Sequence, residues 1–349
     1  MKRTLLLPSL LVFGLTWFGR ISYANSDPRL TLLVSQSLLE HRVAYLDAYR
    51  GRLLVGASFD ELLAAGAIQE RGGHYYNYFP LGPSLLSLPA VALAQAAGAD
   101  MSQAGANFAL QNWLSAASSV VALWIVYALG RCYLAPSASL AIAAVSVLGS
   151  GLVSTLGTAF WSSNLAVIFL GLSLLLLARQ NAGLSATTKP ALLGGLMFLA
   201  YLSKPVAAAF ILPALGYLWW LRRREFWPAG LAAAGLFGLF SLWNWSEFGR
   251  WLPDYASLAR FSAERAPLPE ALYGQLFSAS RGLFVFSPFL LLLIPGAALL
   301  ARPSARRPMG RLCLAWFGLQ LLLASLAASW WGGHSFGPRV LVEAGLPLA

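Results

Sequence analysis

No aspartate or glutamate occurs anywhere between Met101 and Arg224, a stretch interrupted only by scattered arginines and lysines. A surface facing water over that length normally mixes both signs of charge, so this part of the chain belongs in an apolar medium. Apart from Glu225 and Glu343, every acid falls within 25–105 or 247–282. Charged residues make up 11% of the 349 and hydrophobic ones 58%, against roughly 25% charged in an ordinary soluble domain.

Apolar runs that approach or exceed the ~18–20 residues needed to cross a bilayer core lie at about 5–21, 108–129, 140–156, 160–178, 228–245, 283–300 and 312–328. They predict an all-α fold, a polytopic transmembrane helical bundle. It is read as one membrane domain over 1–349, with a first outer loop at 24–106 and a second at 248–282. The net charge of +11 is then no nucleic-acid footprint, and no nucleic-acid partner is expected.

Basic residues flank the spans at Lys2-Arg3, Arg131, Arg179 with Lys189, Arg222-Arg223-Arg224, and Arg302 with Arg306, Arg307 and Arg311. Short loops rich in Lys and Arg mark the cytoplasmic side, which puts both acid-bearing loops outside. Parity then requires an even number of crossings in 191–221. Lys204-Pro205 divides that stretch, because proline removes a backbone donor and breaks helices, so it reads as a hairpin with Lys204 at its tip. The segment 81–97, with Pro83 and Pro89, reads as a juxtamembrane or re-entrant helix on the outer face. Lys2-Arg3, the apolar run and Ser22-Tyr23-Ala24 also fit a cleavable signal peptide. The short apolar end at 340–349 suggests a fragment or a partly inserted terminus.

Cys132 and Cys313 sit near cytoplasmic span ends with no His or Cys cluster beside them, so neither a disulfide nor a zinc site is expected. The chain contains no phosphate-binding glycine loop and no dinucleotide fingerprint.

Chemistry-bearing residues gather at the outer boundary. Asp27, in Ser26-Asp27-Pro28-Arg29, opens an amphipathic run. One reading makes it the N-cap of a helix lying on the membrane, with Pro28 at the first helical position; the other makes it a general base. Asp47 is a second acid candidate, whereas Asp60 and Glu61 read as the start of a short helix. Tyr76 and Tyr78, in the aromatic stretch from Gly73 to Pro83, are candidate substrate-lining residues, as is His334 in the turn from Trp330 to Arg339. Lys204, Arg281 and Arg339 bring three cations to the outer boundary from three separate segments. Snorkelling explains any one of them; three together beside an acid-bearing loop point to a phosphate site as an expectation, since ionisable groups at membrane depth are costly and often functional.

These features together resemble the GT-C superfamily of membrane glycosyltransferases, specifically bacterial relatives of protein mannosyltransferases and aminoarabinose transferases. The residues carrying the resemblance are Ser26-Asp27, Leu46-Asp47-Ala48-Tyr49, Tyr78-Phe79-Pro80-Leu81-Gly82, Asn244-Trp245 with Phe248-Gly249, Ser280-Arg281-Gly282, and Trp331-Gly332-Gly333 with Gly337-Pro338-Arg339. The resemblance implies an acidic catalytic residue in the first outer loop, matched by Asp27, and a polyprenyl-phosphate sugar donor. Lys204 looks like the basic residue of a Gly-rich helix pair. No paired Asp-x-Asp or Glu-x-Asp stands beside Asp27, a departure that leaves the role of Asp47 and metal use open, with a divalent metal as one option and no certain cofactor.

The resulting expectation is a transferase in the bacterial inner membrane whose active site faces the periplasm. Its partners are the bilayer, the lipid-linked sugar and a cell-envelope glycan, lipid or protein acceptor. Asp27 and Asp47 are the catalytic candidates; Lys204, Arg281 and Arg339 are the donor-phosphate candidates. The rivals are a transporter or lipid flippase, which would place charged pairs at the bilayer midplane, and a non-catalytic membrane subunit.

Overall fold

A computed structural model describes residues 2–19, 27–184, 189–256, 266–292, 307–327, 330–332 and 337–345. The chain is largely helical. In order, its helices are α1 (Lys2–Phe18), α2 (Pro28–Glu40), α3 (Phe59–Ala64), α4 (Gly82–Leu86), α5 (Leu88–Ala96), α6 (Ala104–Gly130), α7 (Pro136–Leu148), α8 (Gly151–Leu156), α9 (Ser162–Asn181), α10 (Pro190–Ser203), α11 (Ala208–Leu221), α12 (Arg223–Phe248), α13 (Leu268–Phe277), α14 (Leu283–Phe286) and α15 (Arg307–Leu326). Four of them, α6, α9, α12 and α15, are long and apolar enough to cross a membrane. At 1.5 Å per residue, α6 reaches about 40 Å.

The buried serines of α6 have partners. Ser115, Ser118 and Ser119 of α6 each donate to the carbonyl four residues back, which suits a medium where unpaired hydroxyls are costly. Two expected spans are broken instead of continuous. The 140–156 segment divides at Gly149, because Ser150 starts a new helix by accepting a hydrogen bond from the Leu152 N–H (3.1 Å). The described part of 283–300 is only the single turn α14, followed after Ser287 by a 3-10 segment, Pro288–Leu292; the rest of that run lies outside the described residues.

Helices α10 and α12 run side by side in the same direction. Gly194 abuts Ala229, a place where any Cβ would meet the Ala229 carbonyl, and further along Tyr201 packs on Phe237 (5.3 Å between rings). The chain must therefore return between them, and α11 does so, packing on α15 through Phe210 and Trp316 (4.8 Å). A 3-10 turn, Pro205–Ala207, joins α10 to α11. At one end of the molecule the Tyr133 hydroxyl reaches the Ala178 carbonyl, Tyr217 reaches Asn181, and Glu225 holds both Gln180 and Arg222. This end gathers the arginines 131, 179 and 222. The opposite end carries the Lys204 turn, the close of α12 and the first acid-rich loop.

That loop is a folded unit with its own core, built on Leu30, Leu33, Leu46, Tyr49, Leu62 and Ile68 and closed against Phe160. Helix α2 is buried on every side from Pro28 to Ser37, which corrects the expectation of a helix lying on the membrane surface: α4, α5, α6 and the loop's strands enclose it. The loop also departs from an all-α design. β1 (Leu53–Leu54) pairs with β2 (Ala57–Ser58), and β3 (Ile68–Arg71) pairs antiparallel with β4 (His74–Asn77). The second hairpin turns at Gly72 and Gly73, both at positive φ (57° and 84°), the conformation of a tight two-residue connection. Asp60 and Glu61 do begin a short helix, α3, where Ser58 and Glu61 form a reciprocal capping box.

Candidate functional site

Asp27 is 1% exposed, and its side chain makes no capping bond to α2. Its carboxylate turns instead to a helix far along the chain. Oδ2 accepts from the Ser162 N–H (3.1 Å) and from the Ser162 hydroxyl (2.5 Å). Among the described residues the buried Oδ1 has no partner. Ser162 is the first residue of α9, so Asp27 satisfies one of the N–H groups that a helix start leaves open, at the positive end of the helix dipole.

Local chemistry explains why α9 starts there. Asn164 folds back so that its Oδ1 accepts from the Trp161 N–H (3.0 Å), while its Nδ2 donates to the Leu156 carbonyl (2.8 Å). Gln111 of α6 ties the two segments together by donating to the Pro28 carbonyl (3.0 Å) and accepting from the Phe160 N–H (3.4 Å).

Two of the three expected cations meet at the same helix start. Pro205 disfavours helical backbone in the residue before it, and Lys204 is extended (φ −153°, ψ 111°). Its Nζ donates to the Ser163 hydroxyl (2.8 Å) and pairs with Glu343 (2.5 Å). Glu343 is fully buried, and its second oxygen accepts from Gln320 (2.9 Å), which in turn accepts from the Trp316 indole (2.9 Å). The Arg339 guanidinium lies 3.8 Å from the centre of the Trp161 ring. Asp27, Lys204 and Arg339 thus converge on Trp161-Ser162-Ser163.

The remaining candidates lie elsewhere. Arg281 sits in the turn before α14 and donates to the Trp331 carbonyl; its neighbour Ser280 accepts from the Gly337 N–H (2.9 Å), linking that turn to the Arg339 segment. The three cations therefore do not form one free cluster, because Lys204 already holds a carboxylate. Asp47 is at the far end of α2 from Asp27, about 20 Å along that helix. It pairs with His74 Nδ1 (2.6 Å) and accepts from the Tyr75 N–H (2.8 Å), so the two acids do not share a site. His334 lies outside the described residues.

Tyr76 and Tyr78 line a cleft of about 790 Å³, counting its open mouth, between the β3–β4 hairpin, the end of α10 and the last turns of α12. The Tyr76 hydroxyl donates to Glu247 (2.8 Å). Burial, reinforced by that carboxylate, pushes its pKa above the ordinary tyrosine range, so it remains a donor. Leu202 and Pro205 face the cleft; Lys204 between them faces Ser163, and its turn stands between the cleft and Asp27.

The chain matches no family model and no curated protein. Among the described residues no three His, Cys, Asp or Glu side chains come together to hold a metal ion.

Sequence reading missed Ser162, Ser163, Gln111 and Glu343. A signal existed for three of these four positions. Glu343 is the only acid beyond Glu270, and Trp161-Ser162-Ser163-Asn164 is a polar interruption between apolar runs.

Proposed function

We propose that the protein is a polytopic glycosyltransferase of the bacterial inner membrane, moving a sugar from a polyprenyl-phosphate carrier to an acceptor hydroxyl on the periplasmic face. The observation that carries this reading is the convergence of Asp27, Lys204 and Arg339, from three distant segments, on the first residues of α9. Helix starts favour anions, and here a carboxylate with one unpaired oxygen lies beside two cations.

In the reaction, the acceptor oxygen attacks the anomeric carbon and passes its proton to Asp27 Oδ1. The bond from that carbon to the phosphate oxygen breaks, and its electron pair leaves with the lipid phosphate. Proton removal of this kind is worth roughly 10²–10⁴-fold in rate. Arg339, and Lys204 once it exchanges Glu343 for phosphate, would offset the charge growing on the leaving group. Asp47 has no part in this scheme, and Arg281 stands at its edge. The exposed apolar side chains of α12, among them Leu231, Leu239 and Leu242, would face lipid.

A second reading is favoured by the number of polar contacts that the cluster makes within the protein, Asp27 Oδ1 excepted. Asp27 Oδ2 caps α9, and the Lys204–Glu343–Gln320–Trp316 chain is fully hydrogen-bonded, so the cluster would serve only to lock helices in a non-catalytic subunit. Turnover of a lipid-linked sugar by the purified protein separates the two. Asn retains a side-chain oxygen and caps nearly as well as Asp, so Asp27→Asn should keep its melting temperature while transfer falls at least about 100-fold. Full transfer by Asp27→Asn leaves only the cap.

A further inference from the structure

We infer that the cleft beside the Lys204 turn is a saccharide-binding site, separate from the Asp27 cluster. Two groups of rings form its walls. On one side Tyr76 packs edge-on against Phe248 (4.7 Å), which packs against Trp243 (5.8 Å); on the other, Tyr78 packs against Tyr255 (5.6 Å). Ring faces held by neighbouring rings are rigid platforms that lose little entropy when a ligand stacks on them. The C–H faces of a pyranose ring suit such platforms.

The polar atoms decide between a sugar and a lipid chain. Asn244 lines the cleft and is 1% exposed. Its Nδ2 is held by the Arg250 carbonyl (2.5 Å), which fixes the amide, and among the described residues its Oδ1 accepts no hydrogen bond. A buried acceptor of this kind is costly to leave unpaired. The atom is already out of contact with solvent, so a ligand hydroxyl that draws the Asn244 side chain toward the cleft would satisfy it, whereas a hydrocarbon chain would not. At the water-facing end, Gln69 and the Arg71–Asp254 ion pair add donors and acceptors. Asp254 is shared by Arg71 and Arg250, and Glu247 beneath the Tyr76 hydroxyl balances the second arginine, so an uncharged polyol fits better than a phosphate or a carboxylate. Rigid aromatic walls, a buried acceptor and a neutral polar rim describe a carbohydrate site. This assignment does not depend on the transfer reaction, because the cleft and Asp27 are on opposite sides of the Lys204 turn.

The test uses the full chain in detergent micelles with maltohexaose, chitotetraose and mannotriose as probes, read by saturation-transfer difference NMR against protein-free micelles. At least one probe should bind. Asn244→Leu, which replaces the amide by an apolar group of similar size, should weaken it about five- to ten-fold, the effect of one lost hydrogen bond. Tyr78→Ala should also weaken it and guards against the chance that Asn244→Leu fails to fold. No saturation transfer to any of the three probes, or transfer unchanged in both variants, overturns the assignment. So does a farnesol probe that displaces the sugar and binds more tightly to Asn244→Leu, since the cleft would then be a lipid groove.

Discussion

Lys204 and Glu343 are 8% and 0% exposed, and each is the other's counter-charge. Removing one partner of such a pair leaves an uncompensated buried charge, at a cost of about 3–5 kcal/mol, whereas replacing both by apolar groups is often neutral. Lys204→Met alone should therefore lower the melting temperature sharply, and Lys204→Met combined with Glu343→Leu should recover most of the loss. Under the transferase reading the double variant is stable yet slow in turnover. Equal transfer by the double variant and the wild type would assign the pair to stability alone. The pair also shows what residue-level reading misses. Lys204 is conspicuous because proline follows it, but its partner stands 139 residues away, and nothing local to either residue announces the match. Asp27 draws attention as a cap candidate, and a cap it is, for a helix beginning 135 residues later instead of the one it precedes.

Among the elements, α4 and α10 approach closely at Gly82. A Cβ at Gly82 would collide with the Leu202 carbonyl and the Ser203 nitrogen. Main chain has little freedom to yield, so Gly82→Ala should cost about 1–3 kcal/mol as overpacking and shift the Lys204 turn with it. Thermal unfolding checks the first part; a stability unchanged from wild type would mean that the loop and α10 separate without penalty. In the loop's core, Leu33→Ala should cost about 2–5 kcal/mol, measured the same way. Periodicity and length make α6, α9 and α12 legible in the sequence to within a few residues. The β3–β4 hairpin escapes such a reading although Gly72-Gly73 between a polar run and a polar-aromatic one is a plain turn signal, because the composition of the chain as a whole points to helix. The burial of α2 is illegible for a different reason. Its apolar face suggests one buried side, and only the folding of the chain out to Met101 around it covers its serines and Gln36 as well.

For the whole molecule, the arginine-rich end and the acid-rich end imply one orientation. In a variant with Cys132 and Cys313 replaced by serine, Ala65→Cys on the first loop should react with a membrane-impermeant thiol reagent added to spheroplasts. Ser137→Cys, in the exposed first turn of α7 at the arginine-rich end, should react only after lysis. The reverse pattern would invert the orientation and move the proposed reaction to the cytoplasm.

The bond from Asp27 to Ser162 also sets an order in time. Asp27 emerges from the ribosome 135 residues ahead of its donor, so the first loop can fold around α2 while the start of α9 is still unmade. In that interval the carboxylate faces a gap that only the arriving helix fills. The register of α9 is set by where Asp27 stands as well as by its own sequence. A chain that stalled before α9 would hold the loop's core but leave that acid open to water.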